Sequence, residues 1–317
     1  MTRHVLISCL HLQRQIDRYL PVFRKNNISI ETPPIDQQLC EVDLLRIIDR
    51  FDGVIAGDDE FTATVLKHAK KLKVISKWGV GIDGIDLAEA TRRGICVKNT
   101  PGVFSDEVAD VVTGYLILLS RRLHTIDRRV RSGEWNATQV PGISLAGKTL
   151  GVIGVGNIGR EVCRRAAALR MNIMGYDVYS PPQQFMQETK THMVSLDELI
   201  SSSDFISLNC NLTQKNHHLL NHETFLKMKP GVFIINTSRG GLIDEAALAD
   251  ALQKGIVAGA ALDVFEQEPL PDNSPLRTFN SCIFGCHNSS NTKEAVERVN
   301  EMAINNLIEG LVLGEKS

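Results

Sequence analysis

Gly154-Val155-Gly156-Asn157-Ile158-Gly159 stands between a short apolar run of strand type, Lys148-Thr149-Leu150-Gly151-Val152-Ile153, and a segment of helical character. Ile158, Val162 and Ala166 recur there at helical spacing. A glycine-rich turn from strand into helix lets the backbone approach a pyrophosphate, whose charge meets the N–H groups at the helix N-terminus. The next strand-type run, Asn172-Ile173-Met174-Gly175-Tyr176, ends at Asp177. That carboxylate lies about 20 residues downstream, where it suits a ribose diol. A lone GxGxxG is a weak signal, but strand, helix and acid together point to a dinucleotide. No Arg or Lys follows Asp177 until Lys190, so nothing nearby invites a 2′-phosphate. The cofactor reads as NAD, not NADP.

Working outward, strand-type runs alternate with helical segments from Lys148 onward: Thr149–Ile153, Asn172–Tyr176, Phe205–Leu208, Phe233–Asn236, Val257–Leu262 and Cys282–Phe284. Six such runs with helical crossovers predict a parallel, doubly wound Rossmann sheet. The first part repeats the alternation at Val5–Ile7, Ile28–Ile30, Gly53–Ala56, Val74–Ser76 and Ile95–Lys98. This reads as a second, smaller α/β sheet, and with no glycine fingerprint after its first strand the two halves are not functional copies. The segment Asp106–Arg122 is helical and apolar almost all round, which predicts burial between domains or against a second subunit. The last helix, Thr292–Leu313, is expected to return to the first domain. The expected division is residues 1–98 plus 288–317 for a discontinuous substrate-binding domain, and 99–287 for the NAD-binding domain.

The chain has 317 residues, 43% hydrophobic and 23% charged, in the range of globular proteins. A net charge of −2 gives no electrostatic reason to expect nucleic acid or an anionic membrane surface. No stretch approaches the roughly 18 apolar residues needed to span a bilayer, and the N-terminal apolar run is too short for a signal peptide. Seven scattered cysteines, with no CxxC, read as reduced thiols. A cytoplasmic location is expected.

Three residues stand at the carboxyl ends of predicted strands, the edge where ligands bind in open α/β sheets. Arg239 follows Ile235-Asn236-Thr237-Ser238; a guanidinium there can hold a carboxylate in bidentate fashion and polarise an adjacent carbonyl. Glu268 follows Ala261-Leu262-Asp263-Val264-Phe265-Glu266-Gln267, and His287 follows Phe284-Gly285-Cys286. A lone His is more often structural, but one with a carboxylate and an arginine at neighbouring strand ends suits proton transfer.

The succession of these motifs, with Ser76-Lys77-Trp78-Gly79-Val80-Gly81-Ile82-Asp83 and Asn99-Thr100-Pro101-Gly102, resembles the D-isomer-specific 2-hydroxyacid dehydrogenases over nearly the whole chain. The resemblance implies hydride transfer between NAD and a small 2-keto or D-2-hydroxy acid, and a flavodoxin-like substrate domain. It implies that Arg239 binds the substrate, that His287 is the acid/base and that Glu268 pairs with it. Backbone N–H groups of Val80 and Gly81 would hold the carboxylate, with Lys77 as a further substrate contact. Gly154, Gly156, Asn157, Ile158, Gly159, Asp177, Thr213, Thr237, Ser238 and Asp263 would line the cofactor. The family is also typically a homodimer.

Departures from the family pattern are specific. The usual proline before the catalytic His is Cys286, and the usual glycines after it are Ser289 and Ser290. The usual His-x-Pro-Leu-Thr loop is Asn209-Cys210-Asn211-Leu212-Thr213. Where phosphoglycerate dehydrogenases carry an Arg-Ser phosphate clamp, this chain has Ala56-Gly57-Asp58-Asp59-Glu60. Three acids there repel a phosphate, so a phosphoglycerate dehydrogenase proper is the second choice. A non-catalytic, NAD-sensing co-repressor is the alternative from another class. His217, His218 and His222 have no cysteine or acid at ligand spacing except Glu223, so no metal is expected. Ser144, Ser238 and His287 make no nucleophile elbow. The basic run within Arg121–Arg131 reads as a solvated helical face.

Overall fold

The computed structural model describes residues 2–36, 38–135 and 141–313. The chain folds into two compact units, Met1–Val103 with Thr292–Ser317, and Phe104–Asn291.

In the first unit, β1 (Arg3–Ile7), β2 (Ile28–Glu31), β3 (Gly53–Ala56), β4 (Val74–Lys77) and β5 (Cys96–Lys98) form one sheet in the order β2-β1-β3-β4-β5. Every registered pair is parallel, and the order is the flavodoxin-like one. Val54, Ile55, Val74 and Ile75 are fully buried. Strands covered on both faces read as continuous apolar runs rather than alternating ones. The helix Lys293–Leu313 packs here: a Cβ on Gly53 would lie 2.8 Å from Leu307 Cδ1, so the helix seats on the β3 backbone itself.

The second unit holds β6 (Thr149–Ile153), β7 (Asn172–Tyr176), β8 (His192–Met193), β9 (Phe205–Leu208), β10 (Val232–Asn236), β11 (Val257–Leu262) and β12 (Cys282–Phe284). Their order is β12-β11-β10-β9-β6-β7-β8, again parallel throughout the registered pairs. Alternate residues feed opposite faces. Phe205 and Phe233 enter a core with Leu150 and Val152, while Ile206 and Ile234 enter one with Leu248 and Leu252. The edge strand β8 was not expected from the sequence, because two residues carry no periodicity.

The apolar helix expected at 106–122 runs Ser105–Arg121. It buries Val108, Ala109, Val112, Tyr115, Leu116 and Leu119, and these except Val108 join the core that β6 and the helix Asn157–Ala168 share. Asp106 and Asp110 on its outer side pair with Arg165 of that helix. Much of the helix's apolar surface is therefore used inside its own unit. The basic segment after it forms a separate helix, Leu123–Arg131, joined at Arg122 in the left-handed conformation (φ 52°).

Candidate active site

The chain order reverses at β6 and β9: β7 and β8 lie on one side of this pair, β10 to β12 on the other. The crevice outside the carboxyl ends of such a pair is the binding position of a doubly wound sheet. The glycine loop sits at this point. Gly154 has φ +93°, and a Cβ there would lie 2.5 Å from Cys210 N in the loop after β9. A Cβ on Gly159 would lie 1.9 Å from Gly154 O, so only glycine lets the helix begin this close to the turn. Around Gly156 an added Cβ meets nothing within 4 Å, which leaves the loop open above. The helix Asn157–Ala168 has no side-chain cap, so its first N–H groups are offered outward beside Asn157 and Ile158.

Asp177 closes on this turn. Its Oδ2 accepts from Val155 N at 2.7 Å and its Oδ1 from Tyr179 N at 3.0 Å. A carboxylate has about four acceptor sites, so capacity remains for a diol. Across the crevice, Ser238 Oγ donates to the Cys210 carbonyl. Thr237 is 9% exposed, and its Oγ1, like Asn209 Oδ1, is buried without a hydrogen-bond partner among the described residues. Unsatisfied buried polar atoms at a ligand edge call for a polar ligand. The glycine cradle, open helix terminus, Asp177 carboxylate and orphaned Thr237 hydroxyl together fit a dinucleotide.

Thr213 is exposed. Its N and Oγ1 both donate to Asn216 Oδ1, at 2.6 and 2.9 Å, while Asn216 Nδ2 donates to Asn211 O at 2.8 Å. Asn216 thus ties the loop that lacks the family's proline. Sequence reading passed over it because nothing in spacing marks such a side-chain tie. Cys210 in this loop is an inert thiol, pushed up to about 11 by burial.

The candidate proton-transfer pair lies at the carboxyl ends of β11 and β12. Glu268 Oε2 meets His287 Nδ1 at 2.8 Å, and Glu268 Oε1 accepts from Phe265 N at 3.0 Å. A carboxylate fixed by its own loop therefore orients the imidazole. His287 has φ +55°, and its N–H donates to the Asp263 carbonyl at 2.7 Å. The Asp263 carboxylate accepts from Asn288 N at 3.1 Å and Ser289 N at 2.8 Å. Gly285 lets the loop wrap this closely: a Cβ there would lie 2.0 Å from Asp263 Oδ1 and 2.8 Å from the Tyr115 hydroxyl. Burial, then the neighbouring Asp263, raises the Tyr115 phenol well above its usual range. The sequence showed Tyr115 only as one apolar residue of its helix.

Arg239 follows β10, and its Nη1 donates to Ser238 O at 2.9 Å. Asn236 Nδ2 donates to Arg239 O at 2.9 Å and so fixes its main chain. A Cβ on Gly240 would lie 1.9 Å from the Phe265 carbonyl carbon, which brings the Arg239 loop against the loop that carries Glu268.

The remaining substrate candidates belong to the first unit. Lys77 ends β4 with its side chain 8% exposed; its Nζ donates to Asp58 Oδ1 at 2.9 Å and to Trp78 O at 3.0 Å. The acidic run is not three outward charges. Asp59 is buried and accepts from Ser8 Oγ, Leu39 N and Gly57 N, and burial pushes its carboxyl up to about 6. Glu60 Oε2 accepts from Glu41 N. Asp58 is the member of the run that pairs with Lys77. The half-buried Val80 and Gly81 lie in the loop after Trp78, where Asn99 Nδ2 donates to the Val80 carbonyl at 2.7 Å.

The family model described as D-isomer specific 2-hydroxyacid dehydrogenase, NAD binding domain, matches residues 113–289. The chain is 41% identical over 287 residues to the glyoxylate reductase of Thermofilum pendens, covering 88% of this chain and 83% of that one. It is 40% identical over 268 residues to the D-3-phosphoglycerate dehydrogenase of Methanocaldococcus jannaschii, covering 84% of this chain but only 50% of that relative. D-lactate dehydrogenase from Aquifex aeolicus, solved with NAD and lactic acid, superposes with a TM-score of 0.86 at 27% identity, covering 98% and 96% of the two chains.

Proposed function

From the premise that this chain belongs to the D-isomer specific 2-hydroxyacid dehydrogenases, as an NAD-dependent enzyme, we propose that it reduces a short, unphosphorylated 2-keto acid, with His287 as proton donor. The observation that carries this reading is the 2.8 Å contact of Glu268 Oε2 with His287 Nδ1. With Glu268 on Nδ1, the proton that moves is the one on Nε2. NADH, when bound, supplies the hydride. His287 delivers its proton to the substrate's carbonyl oxygen, and Glu268 stabilises the imidazolium before transfer. Arg239 holds the substrate carboxylate and polarises the carbonyl. In the first unit, the N–H groups of Val80 and Gly81 are the proposed donors to a substrate carboxylate. Gly154, Gly156, Asn157, Ile158 and Gly159 cradle the pyrophosphate. Asp177 binds the ribose, and Thr213, Thr237, Ser238 and Asp263 line the rest of the cofactor site.

Support for an unphosphorylated substrate comes from Lys77. Its charge is already matched by Asp58 at 2.9 Å, so a distal phosphate would meet a neutral pair instead of a free ammonium. Glyoxylate and hydroxypyruvate, two small keto acids, fit that environment. Comparing kcat/KM for glyoxylate, hydroxypyruvate and phosphohydroxypyruvate at low salt tests it. A strong preference for the phosphorylated compound, lost on Lys77→Ala, would overturn the assignment.

We also infer a homodimer. Its support is the helix Leu123–Arg131, in which none of the described side chains is buried. Leu123, Ile126 and Val130 share one face at 41%, 38% and 48% exposure, with Trp135 nearby in sequence at 89%. Sedimentation as a monomer at micromolar concentration would contradict this. Among the described residues, no helix is long and apolar enough to cross a membrane. The free state of all seven cysteines supports a cytoplasmic location.

A further inference from the structure

We propose that His217, His218 and Glu266 form a binding site for a divalent transition-metal ion of the zinc class, closed by two loops of the second unit. One ligand atom from each residue lies within 4.8 Å of the others. His218 Nε2 meets Glu266 Oε1 at 2.5 Å, and the two imidazole rings stand 3.9 Å apart at 31°. Two imidazoles and a carboxylate form the nitrogen and oxygen donor set that zinc binds at about 2.0–2.2 Å. Magnesium and calcium prefer all-oxygen sets, so this site discriminates against them.

The frame is fixed and the side chains are adjustable. His218 N donates to Gly241 O at 2.8 Å, which anchors the histidine loop. Glu266 N donates to Glu245 Oε1 at 2.7 Å, which anchors the second loop. Glu266 Oε2 accepts from Glu245 N at 3.2 Å, which leaves Oε1 turned to His218, and the exposed His217 ring can close the last ångström or so by rotation. His222, the third histidine of the sequence cluster, faces Asp250 at 3.6 Å and takes no part. Glu266 replaces it from 48 residues beyond His218, a separation that no ligand spacing in the sequence reveals. Glu266 stands two residues before Glu268, so an ion here ties the segment carrying Glu268 to the histidine loop. The site stands independently of the substrate reading.

The test is isothermal titration of the chelator-treated full chain with zinc chloride and with magnesium chloride. Wild type is compared with His217→Ala, Glu266→Gln, His222→Ala and Cys286→Ser, with circular dichroism to verify folding. The expected result is one zinc per chain at micromolar Kd or tighter, with no magnesium binding. His217→Ala and Glu266→Gln each weaken zinc tenfold or more, while His222→Ala and Cys286→Ser leave it unchanged. Zinc binding only at millimolar concentration would overturn the proposal. So would unchanged affinity in His217→Ala and Glu266→Gln, or a loss that follows Cys286→Ser and places the ion at the thiol beside His287.

Discussion

Asp263 holds His287 through the main chain rather than through its ring. The Asp263 carbonyl accepts the His287 N–H at 2.7 Å, and its buried carboxylate accepts the next two N–H groups, of Asn288 and Ser289. The left-handed turn at His287 is thus clamped from both sides by one residue. Removing the carboxylate leaves the buried Ser289 N–H and the part-buried Asn288 N–H unpaired, a bond to a charged group being worth about 1.5–3 kcal/mol. Asp263→Ala is expected to lower the urea midpoint and kcat together, and Asp263→Asn, which keeps one acceptor, to recover part of both. A kcat that falls without recovery in Asn would point to a role beyond positioning.

Glu268→Gln keeps a hydrogen-bonding group at Nδ1 but removes the charge opposite the imidazolium. The protonated donor is then lost at lower pH, so the alkaline limb of keto-acid reduction is expected to move to lower pH. An unchanged pH–rate profile would remove Glu268 from the mechanism.

Asp177 is the residue to vary for cofactor choice. Its carboxylate is held by Val155 N and Tyr179 N and is the proposed ribose acceptor. Asp177→Ala removes both the ribose acceptor and the repulsion of a 2′-phosphate, so the preference for NADH over NADPH is expected to narrow. Wild type that binds NADPH more tightly than NADH would contradict the reading of this acid.

Much of this was legible in the sequence because strands buried on both faces leave unmistakable apolar runs, and the glycine loop and the residues after β10, β11 and β12 can be placed from those runs alone. The ties between loops were not legible. Asp263 clamping the His287 turn, Asn216 bracing the loop after β9, and Glu266 reaching His218 are contacts set by the course of irregular backbone, which no periodicity encodes. The acidic run shows the same limit. Composition reads Asp58, Asp59 and Glu60 as three repelling charges, whereas the fold turns Asp59 inward and gives Asp58 to Lys77.

Asp59 also makes the first unit's stability depend on pH. Burial raises its carboxyl from 3.8 to about 6, against the donors that lower it. The folded state thus holds the proton more tightly than the unfolded chain. The resulting stabilisation is fully present below about pH 4 and is lost as pH rises through about 6, amounting to about 3 kcal/mol. The stability difference between wild type and Asp59→Asn, from urea unfolding, is expected to change by that order between pH 4 and pH 6. A difference flat across the window would show that Asp59 does not titrate there.

The most direct test of the mechanism is His287→Ala assayed in two ways: steady-state NADH oxidation with hydroxypyruvate, and NADH affinity by fluorescence. The residue sits on the loop after β12, apart from the glycine turn after β6. Its loss is therefore predicted to lower kcat by about a hundredfold or more while the NADH Kd stays unchanged. A kcat within a few-fold of wild type, in a variant that still binds NADH normally, would contradict the assignment of His287 as the proton donor.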